Sequence, residues 1–191
     1  MDTRTALLNS AELAIRQRGY NGFSFADMAR DVGIRKASIH HHFPTKADLA
    51  RQLIERYAAQ FESALSEIDA SEAKAADKLR LYQGVYRDAL AGGSQLCLCV
   101  ALSASRESLA DPVLTRLNQF HENSTDWLQR TFSAAAQDLS VSGMIDENAE
   151  AYATLALMEG AQLMSRAAAS TDPFDCATAG FLSRLSVTRN N

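Results

Sequence analysis

Apolar residues recur every three or four positions along most of the chain, and no stretch of useful length alternates apolar and polar residues as a half-buried strand does. The pattern therefore predicts an all-α fold of about nine helices. A long stripe from Leu49 to Ile68 is typical of a helix that buries one face. The predicted helices cover about residues 3–18, a short stretch from Ser24 to near Gly33, about residues 36–43, and a long helix from Thr45 through Ile68. Further helices are predicted from Leu79 to Leu90, over residues 96–109, from Asp111 through Phe132, and over residues 146–169 and 172–185.

Short polar residues mark where two of these helices begin. Ser24 and Asp27 are three residues apart, so the serine oxygen can accept a backbone N–H while the carboxylate accepts the N–H of the serine. Thr45 and Asp48 repeat this capping box directly after Pro44, which disfavours helix in the residue before it. We therefore expect short helices to follow the first box and a long helix to follow the second.

The charge of the chain is unevenly distributed. Its net charge is −4, but residues 1–56 carry nine Lys and Arg against six Asp and Glu, whereas residues 57–191 carry ten against seventeen. The first segment is therefore +3 and the second −7. This asymmetry suggests a phosphate-facing head on an acidic body.

Composition disfavours several classes of protein. No apolar run reaches the roughly 18 residues of a membrane-spanning helix, and the first residues lack the build of a signal peptide. Three cysteines are an odd number, unlike the framework of a disulfide-stabilised secreted domain. No metal-ligand cluster, nucleophile elbow or phosphate loop occurs in the sequence. We expect a cytoplasmic protein with no membrane partner, bound metal, cofactor or enzymatic activity.

Three segments together resemble the amino-terminal domain of the TetR family of transcriptional regulators. They are Ser24-Phe-Ala-Asp-Met-Ala29, Gly33-Ile-Arg-Lys-Ala-Ser-Ile-His-His-His-Phe43 and Thr45-Lys-Ala-Asp-Leu49. In that family the second and third helices form a helix-turn-helix, and the carboxy-terminal part dimerises and binds an effector. The resemblance thus implies a DNA-binding domain over residues 1–48 and an effector-binding and dimerisation domain over residues 49–191.

The resemblance also implies which side chains meet DNA. Helix-turn-helix proteins place the start of their second helix in the major groove, which here puts Arg35 and its successors nearest the bases. An arginine fork can bond O6 and N7 of guanine together, so Arg35 is the candidate for base reading. Lys46 is a candidate phosphate contact, with a merely solvated lysine as the alternative. The DNA-binding candidates are Ser24, Arg35, Lys36, Ala37, Ser38, His40, His41 and Lys46.

The run of three histidines, His40 to His42, invites a metal interpretation as well. Successive residues of a helix point about 100° apart, so these rings cannot converge on one ion. We interpret His40 and His41 as donors to phosphates or base edges. The family often carries tyrosine at the position of His40 and a glycine or small polar residue at that of Ala37, so an operator sequence cannot be transferred.

A cysteine-bearing stretch, Gln95-Leu-Cys-Leu-Cys-Val-Ala-Leu-Ser-Ala104, follows a Gly-Gly break. Two residues apart on a helix, Cys97 and Cys99 should point about 200° apart and should share neither a metal nor a relaxed disulfide. The stretch resembles a TetR subgroup that responds to electrophiles and oxidants through a cysteine at this place. The resemblance implies that Cys97 is the sensor and Cys99 a packing residue, and a helix start favours thiolate. An inert buried cysteine is the alternative.

Two residues complete the sensing candidates. Arg166 is the only Lys or Arg between Thr131 and Ser183, so it could face a pocket and support a thiolate at Cys97. Trp127 shares a helical stripe with Phe120 and Phe132, which suits either a core or an effector contact. A further stripe of small residues permits close helix packing, either in a dimer or within one chain. It comprises Ala149, Ala153, Ala156, Gly160 and Ala167.

Together these features predict a homodimeric transcriptional repressor on a palindromic double-stranded operator. A small-molecule effector releases it, and we expect that effector to be an electrophile or oxidant sensed at Cys97. One alternative is a repressor that responds to a reversibly bound hydrophobic ligand without cysteine chemistry. A small enzyme and a protein-binding adaptor are alternatives from other classes.

Overall fold

The computed structural model describes residues 2–71 and 73–185, and the regular secondary structure in these ranges is helical. It contains no strand there, only an isolated bridge between Val141 and Leu185. The all-α prediction is therefore confirmed, and nine α-helices occur in the described ranges. They are α1 (Thr3–Arg18), α2 (Phe25–Val32), α3 (Lys36–His42), α4 (Lys46–Ala70), α5 (Ala75–Ala89), α6 (Leu98–Ser103), α7 (Asp111–Asp138), α8 (Glu147–Ala168) and α9 (Asp172–Arg184).

Side-chain caps fix the starts of the first helices. Both predicted capping boxes are present. Ser24 Oγ accepts the N–H of Asp27 at 3.3 Å while the Asp27 carboxylate accepts the N–H of Ser24 at 2.9 Å. The corresponding distances for Thr45 and Asp48 are 3.0 and 3.2 Å. Between the two boxes Gly33 caps the end of α2, and its left-handed φ of 74° turns the chain toward α3.

One predicted helix is shorter than expected. The segment predicted as a helix over residues 96–109 contains α6 and a separate 3₁₀ turn over Arg106–Ser108. The hydroxyls of Ser103 and Ser105, at the end of this short helix, donate to the backbone carbonyls of Cys99 and Ala101 at 2.9 and 3.4 Å. Such local bonds compete with helix propagation, so the helix ends early.

The described residues form two compact units, which we call unit 1 and unit 2. Unit 1 comprises residues 2–60 and 95–120, and unit 2 comprises residues 61–71, 73–94 and 121–185. α4 and α7 each contribute residues to both. The boundary predicted after residue 48 is not tested by this division and stays a prediction. No helix in the described part of the chain is long and apolar enough to span a membrane.

Each unit has an apolar core of its own. In unit 1 the residues with no exposed surface are Leu7, Ala11, Ile15, Ile39, Phe43, Leu49, Leu53 and Ile54, together with Leu98, Cys99, Leu102 and Val113. Unit 2 is built around aromatic rings, with Trp127 stacked on Tyr82 at 5.4 Å and an interplanar angle of 13°. Its buried amides are bonded, since Gln162 Nε2 donates to the Tyr86 carbonyl at 2.6 Å.

A glycine in unit 2 lies where a side chain has no room. Gly93 has a φ of +89°, and a Cβ added there would meet Ser170 N at 2.4 Å and Ala169 C at 2.7 Å. The neighbouring Gly92 also has a positive φ, +70°, but a Cβ there would meet nothing within 4 Å. Both glycines thus supply a positive φ, and only Gly93 also leaves room for the backbone of Ala169 and Ser170 to approach closely.

Candidate functional site

The buried face of α3 holds this short helix in a fixed position in unit 1. Ile39 and Phe43, four residues apart, are both 0% exposed. Met28 and Ala29 of α2 are buried too. The guanidinium of Arg4 lies over the Phe43 ring, 5.7 Å from its centroid. Because α3 is anchored on one side, its opposite side presents its residues at a defined angle.

The other side of α3 carries most of the predicted DNA contacts. Arg35, Lys36, Ala37, His40 and His41 are exposed, and Ser38 is half-buried. Within residues 2–71 and 73–185, neither Arg35 nor Lys36 forms an ion pair, so both cations are available to an anion. Ser24 is exposed as well, but its hydroxyl is engaged with the Asp27 carboxylate at 2.8 Å.

His40 has one ring nitrogen assigned by its surroundings. Its ring lies edge-on to Phe25, with centroids 5.3 Å apart, and Nδ1 is 3.2 Å from the carbonyl oxygen of Pro44. A carbonyl only accepts hydrogen bonds, so Nδ1 donates to it and Nε2 is left to face another partner. The contact of His40 with a phosphate or a base edge stays a prediction. No group of three or more metal-ligating side chains occurs in the described ranges.

The side chain of Lys46 is turned toward unit 1 itself. Its Nζ donates to the Phe23 carbonyl at 2.8 Å and lies 4.5 Å and 4.3 Å from the ring centroids of Tyr20 and Phe23. Burial lowers the pKa of the Lys46 ammonium. Contact with a phosphate would exchange these interactions for a charged partner, and this role of Lys46 stays a prediction.

Three polar groups of unit 1 form a thiol cluster, which we define as Cys97, Cys99 and Tyr57. The side chain of Cys97 is hydrogen bonded to those of both Cys99 and Tyr57. The prediction that the two cysteines point apart is wrong. Cys97 precedes α6 as its N-cap and has an extended backbone, φ −52° and ψ 140°, so the angular spacing of helical residues does not apply to it.

The surroundings of Cys97 favour its thiolate. Burial raises the pKa of this thiol. Hydrogen bonds from the Cys99 and Tyr57 side chains and from the N–H groups of Val100 and Cys99 lower the pKa by more than burial raises it. The result is a pKa lowered from 9.0 to about 7. Burial and the two nearby sulfurs raise the pKa of Tyr57 well above its ordinary value. The Tyr57 hydroxyl therefore stays protonated and donates a hydrogen bond to the Cys97 sulfur.

The residue before Cys97 is tied to α1. Leu96 N–H donates to the Arg16 carbonyl at 2.9 Å, and Arg16 Nε donates back to the Leu96 carbonyl at 2.8 Å. We call this reciprocal pair the Leu96–Arg16 strap. The same guanidinium lies 6.0 Å from the centroid of the Tyr57 ring. The thiol cluster and the helix that supports α2 and α3 therefore share one arginine.

The two remaining sensing candidates lie in unit 2. Trp127 is 4% exposed, and its indole N–H donates to Asp69 Oδ2 at 3.0 Å. It lines an open cleft of about 510 Å³ with Lys78, Arg130 and Asp138 among its other walls. Arg166 is half-buried in the last turn of α8. Its predicted support of Cys97 stays a prediction.

The sequence interpretation missed Tyr57 and Arg16 as members of the site. Tyr57 lies within the apolar stripe from Leu49 to Ile68 and Arg16 within the first predicted helix, and neither was singled out. A tyrosine within an otherwise aliphatic and phenylalanine stripe was the available signal, because a buried phenol needs a hydrogen-bond partner. Nothing local could have identified that partner, which is 40 residues further along the chain.

Comparisons with known proteins agree with this geometry. Residues 7–53 match the family described as bacterial regulatory proteins, tetR family. The chain is 24% identical to the HTH-type transcriptional repressor NemR of Escherichia coli K12 over 181 residues, 93% of this chain and 91% of NemR.

Solved structures agree over nearly the full length. A TetR family regulator from Agrobacterium tumefaciens has a TM-score of 0.90 and 29% identity, covering 96% of this chain and 97% of that one. The reduced form of E. coli NemR has a TM-score of 0.80 and 23% identity, covering 100% of both chains. The relatives named here are transcriptional regulators and not enzymes. Residues 7–53 therefore carry the domain of the TetR family, and the chain resembles TetR-family transcriptional regulators, NemR among them, along most of its length.

Proposed function

We propose that this regulator is a homodimeric repressor that binds a palindromic operator through α2 and α3. The observation that carries the proposal is the pair of exposed cations Arg35 and Lys36, which form no ion pair within the described residues. They stand at the start of a helix that is anchored by the buried Ile39 and Phe43. A helix held in this way fits the major groove with its first residues at the base edges. Binding to chromosomal DNA also requires a cytoplasmic protein, and that location remains a prediction.

The dimer is supported by the outer face of α8. All five residues of the small-residue stripe are exposed in the single chain, which disfavours the alternative of an intramolecular core. Large apolar side chains accompany them, with Tyr152 61%, Met164 59% and Leu163 46% exposed. Exposed apolar surface of this extent marks an interaction site, and small residues let a second copy approach closely.

The effector part of the proposal rests on the thiol cluster. A pKa of about 7 leaves about half of Cys97 as thiolate at neutral pH, and the thiolate is the form that electrophiles and peroxides attack. A bulky adduct on a residue that is 2% exposed cannot fit the closed packing. We infer that modification opens the Leu96–Arg16 strap, shifts α1, and so favours a state with lower operator affinity.

A second candidate effector site is the cleft beside Trp127. Its volume of about 510 Å³ falls within the range of small-molecule pockets, and its walls carry both cations and carboxylates. A ligand bound there reversibly would act without cysteine chemistry. The cysteine variant described below distinguishes this candidate from modification of Cys97.

Two alanine variants test the DNA-binding surface. We expect Arg35→Ala to weaken operator binding by about 1–3 kcal/mol and to blur preference at one base pair, because a base contact is lost. Lys46→Ala should weaken binding to any sequence and reduce the slope of log K against log salt by about one unit. Affinities at several salt concentrations measure both effects. Arg80→Ala, which removes the same charge from α5 in unit 2, is the control, and unchanged binding in both test variants would contradict the assignment.

A serine variant tests the sensor. N-ethylmaleimide should release the wild-type protein from DNA of its own upstream region, whereas Cys97→Ser should stay bound at the same dose. In the wild-type protein the alkylation rate of Cys97 should rise with its thiolate fraction through a pH of about 7 and then level off, because the thiol is deprotonated before it attacks. Footprinting and stopped reactions followed by mass spectrometry measure these outcomes. Equal release of both proteins would favour the Trp127 cleft instead.

A further inference from the structure

We infer that Cys97 and Cys99 form a two-thiol binding site for thiophilic ligands that bond two sulfurs at once, of which trivalent organoarsenicals are the chemical class. The binding site itself follows from the geometry of unit 1. Its regulatory consequence rests on the proposed function, because it assumes that opening the thiol cluster lowers DNA affinity.

The positions of the two sulfurs carry the inference. Cys97 and Cys99 are hydrogen bonded to one another through their side chains, and they are 2% and 0% exposed. A ligand that bridges two sulfurs normally has to draw them together and order them, which costs conformational entropy. Here the fold has already fixed both side chains in contact, so the second bond forms at high effective concentration.

The donor set selects the class of ligand. The cluster offers two thiols and one phenol hydroxyl, and the described ranges hold no group of three or more Cys, His or carboxylate ligands. A structural zinc site needs four such ligands. An aryl arsenical has arsenic bonded to one carbon already, so two thiolates complete its three bonds. Sulfur is also the ligand that soft centres prefer.

The reaction balances without any oxidant. Each thiol sulfur forms one bond to arsenic, the arsenic–oxygen double bond of the aryl arsine oxide breaks, and the two thiol protons leave with that oxygen as water. No electrons are transferred. The Tyr57 hydroxyl is hydrogen bonded to Cys97 and keeps its own proton, so it stabilises the attacking thiolate without being consumed.

Access to the site is coupled to the Leu96–Arg16 strap. Both sulfurs are buried, so a ligand reaches them only when unit 1 opens locally, and opening of the segment that ends at Cys97 would expose the first of them. That segment is held to α1 by the two hydrogen bonds of the strap. A ligand that occupies both thiols therefore stabilises the open form, which by the proposed mechanism releases DNA.

Phenylarsine oxide added to the full-length protein tests the site. Wild type and Cys176→Ser should each retain one equivalent through gel filtration in 2-mercaptoethanol and lose it in dimercaptopropanol, as measured by intact mass. Cys97→Ser and Cys99→Ser should each lose the arsenical already in 2-mercaptoethanol, because a single bond exchanges with monothiol. Retention by either single variant, or failure of wild type to retain the reagent, overturns the inference.

A measurement on wild type alone keeps the test independent of variant folding. The number of thiols titrated after denaturation without reductant should fall from three to one when one arsenical is bound. A count that stays at three overturns the inference. Release of DNA by N-ethylmaleimide without retention of the arsenical removes only the two-thiol site. Retention of the arsenical with DNA still bound keeps the site and overturns the proposed coupling to α1.

Discussion

Replacing Phe43 with alanine should lower the free energy of unfolding by about 3–5 kcal/mol and abolish DNA binding at temperatures where wild type is folded. The ring is 0% exposed and fills the space beneath α3. Its removal leaves a cavity and also deprives the Arg4 guanidinium of the ring at 5.7 Å. Because domains of this size are stable by only about 5–15 kcal/mol, the loss is a large share of the total. Urea denaturation followed by circular dichroism measures it.

Leu13→Ala is the matched control for this experiment. Leu13 is a large apolar residue of unit 1, but it is 45% exposed, so its truncation should cost less than about 1 kcal/mol. Equal losses in the two variants would mean that α3 does not depend on the buried ring. A destabilised Phe43→Ala protein with unchanged DNA affinity would contradict the assignment of α3 to the interface.

Gly93→Ala should be the second severe variant, with a loss of about 3 kcal/mol or more. The φ of +89° is strained for any residue with a Cβ, and the added methyl would lie 2.4 Å from Ser170 N. Ser170 N and Ala169 C are backbone atoms, so no side-chain rotation relieves the clash. Thermal unfolding of the two proteins side by side measures the loss as a lower Tm.

Gly92→Ala separates the clash from the backbone strain. Its φ of +70° is also positive, but its Cβ would meet nothing within 4 Å. This variant should therefore cost only about 1–2 kcal/mol, the usual penalty of a left-handed residue. If Gly92→Ala and Gly93→Ala lose the same stability, the close approach of the two segments in unit 2 contributes nothing.

Local rules were enough to predict the helix-turn-helix. The capping boxes at Ser24 and Thr45 depend on residues three apart, and the turn at Gly33 depends on one residue without a Cβ. Ile39 and Phe43 are both buried because a spacing of four residues brings side chains to one side of a helix. Each of these features is decided within a few residues, so the sequence alone specifies it.

The thiol cluster could not be predicted in the same way. The angular argument for Cys97 and Cys99 assumed that both residues are helical, whereas Cys97 caps α6 in an extended conformation. Tyr57 meets them only because α4 and the segment before α6 come together in unit 1. The contact of Lys46 with the Phe23 carbonyl could not be predicted either. A long lysine side chain can reach several partners, and which one it contacts depends on the tertiary structure around it.

Burial of the thiol pair determines how fast the protein can respond. If opening of the Leu96–Arg16 strap is infrequent, the observed rate is the intrinsic reactivity multiplied by the open fraction. A small amount of reagent would then react with accessible thiols, such as the exposed Cys176, before it reacts with the buried pair. The stability of the strap therefore sets the rate at which the buried thiols are modified. Weakening the strap would shorten the time of contact with reagent that is needed for a response.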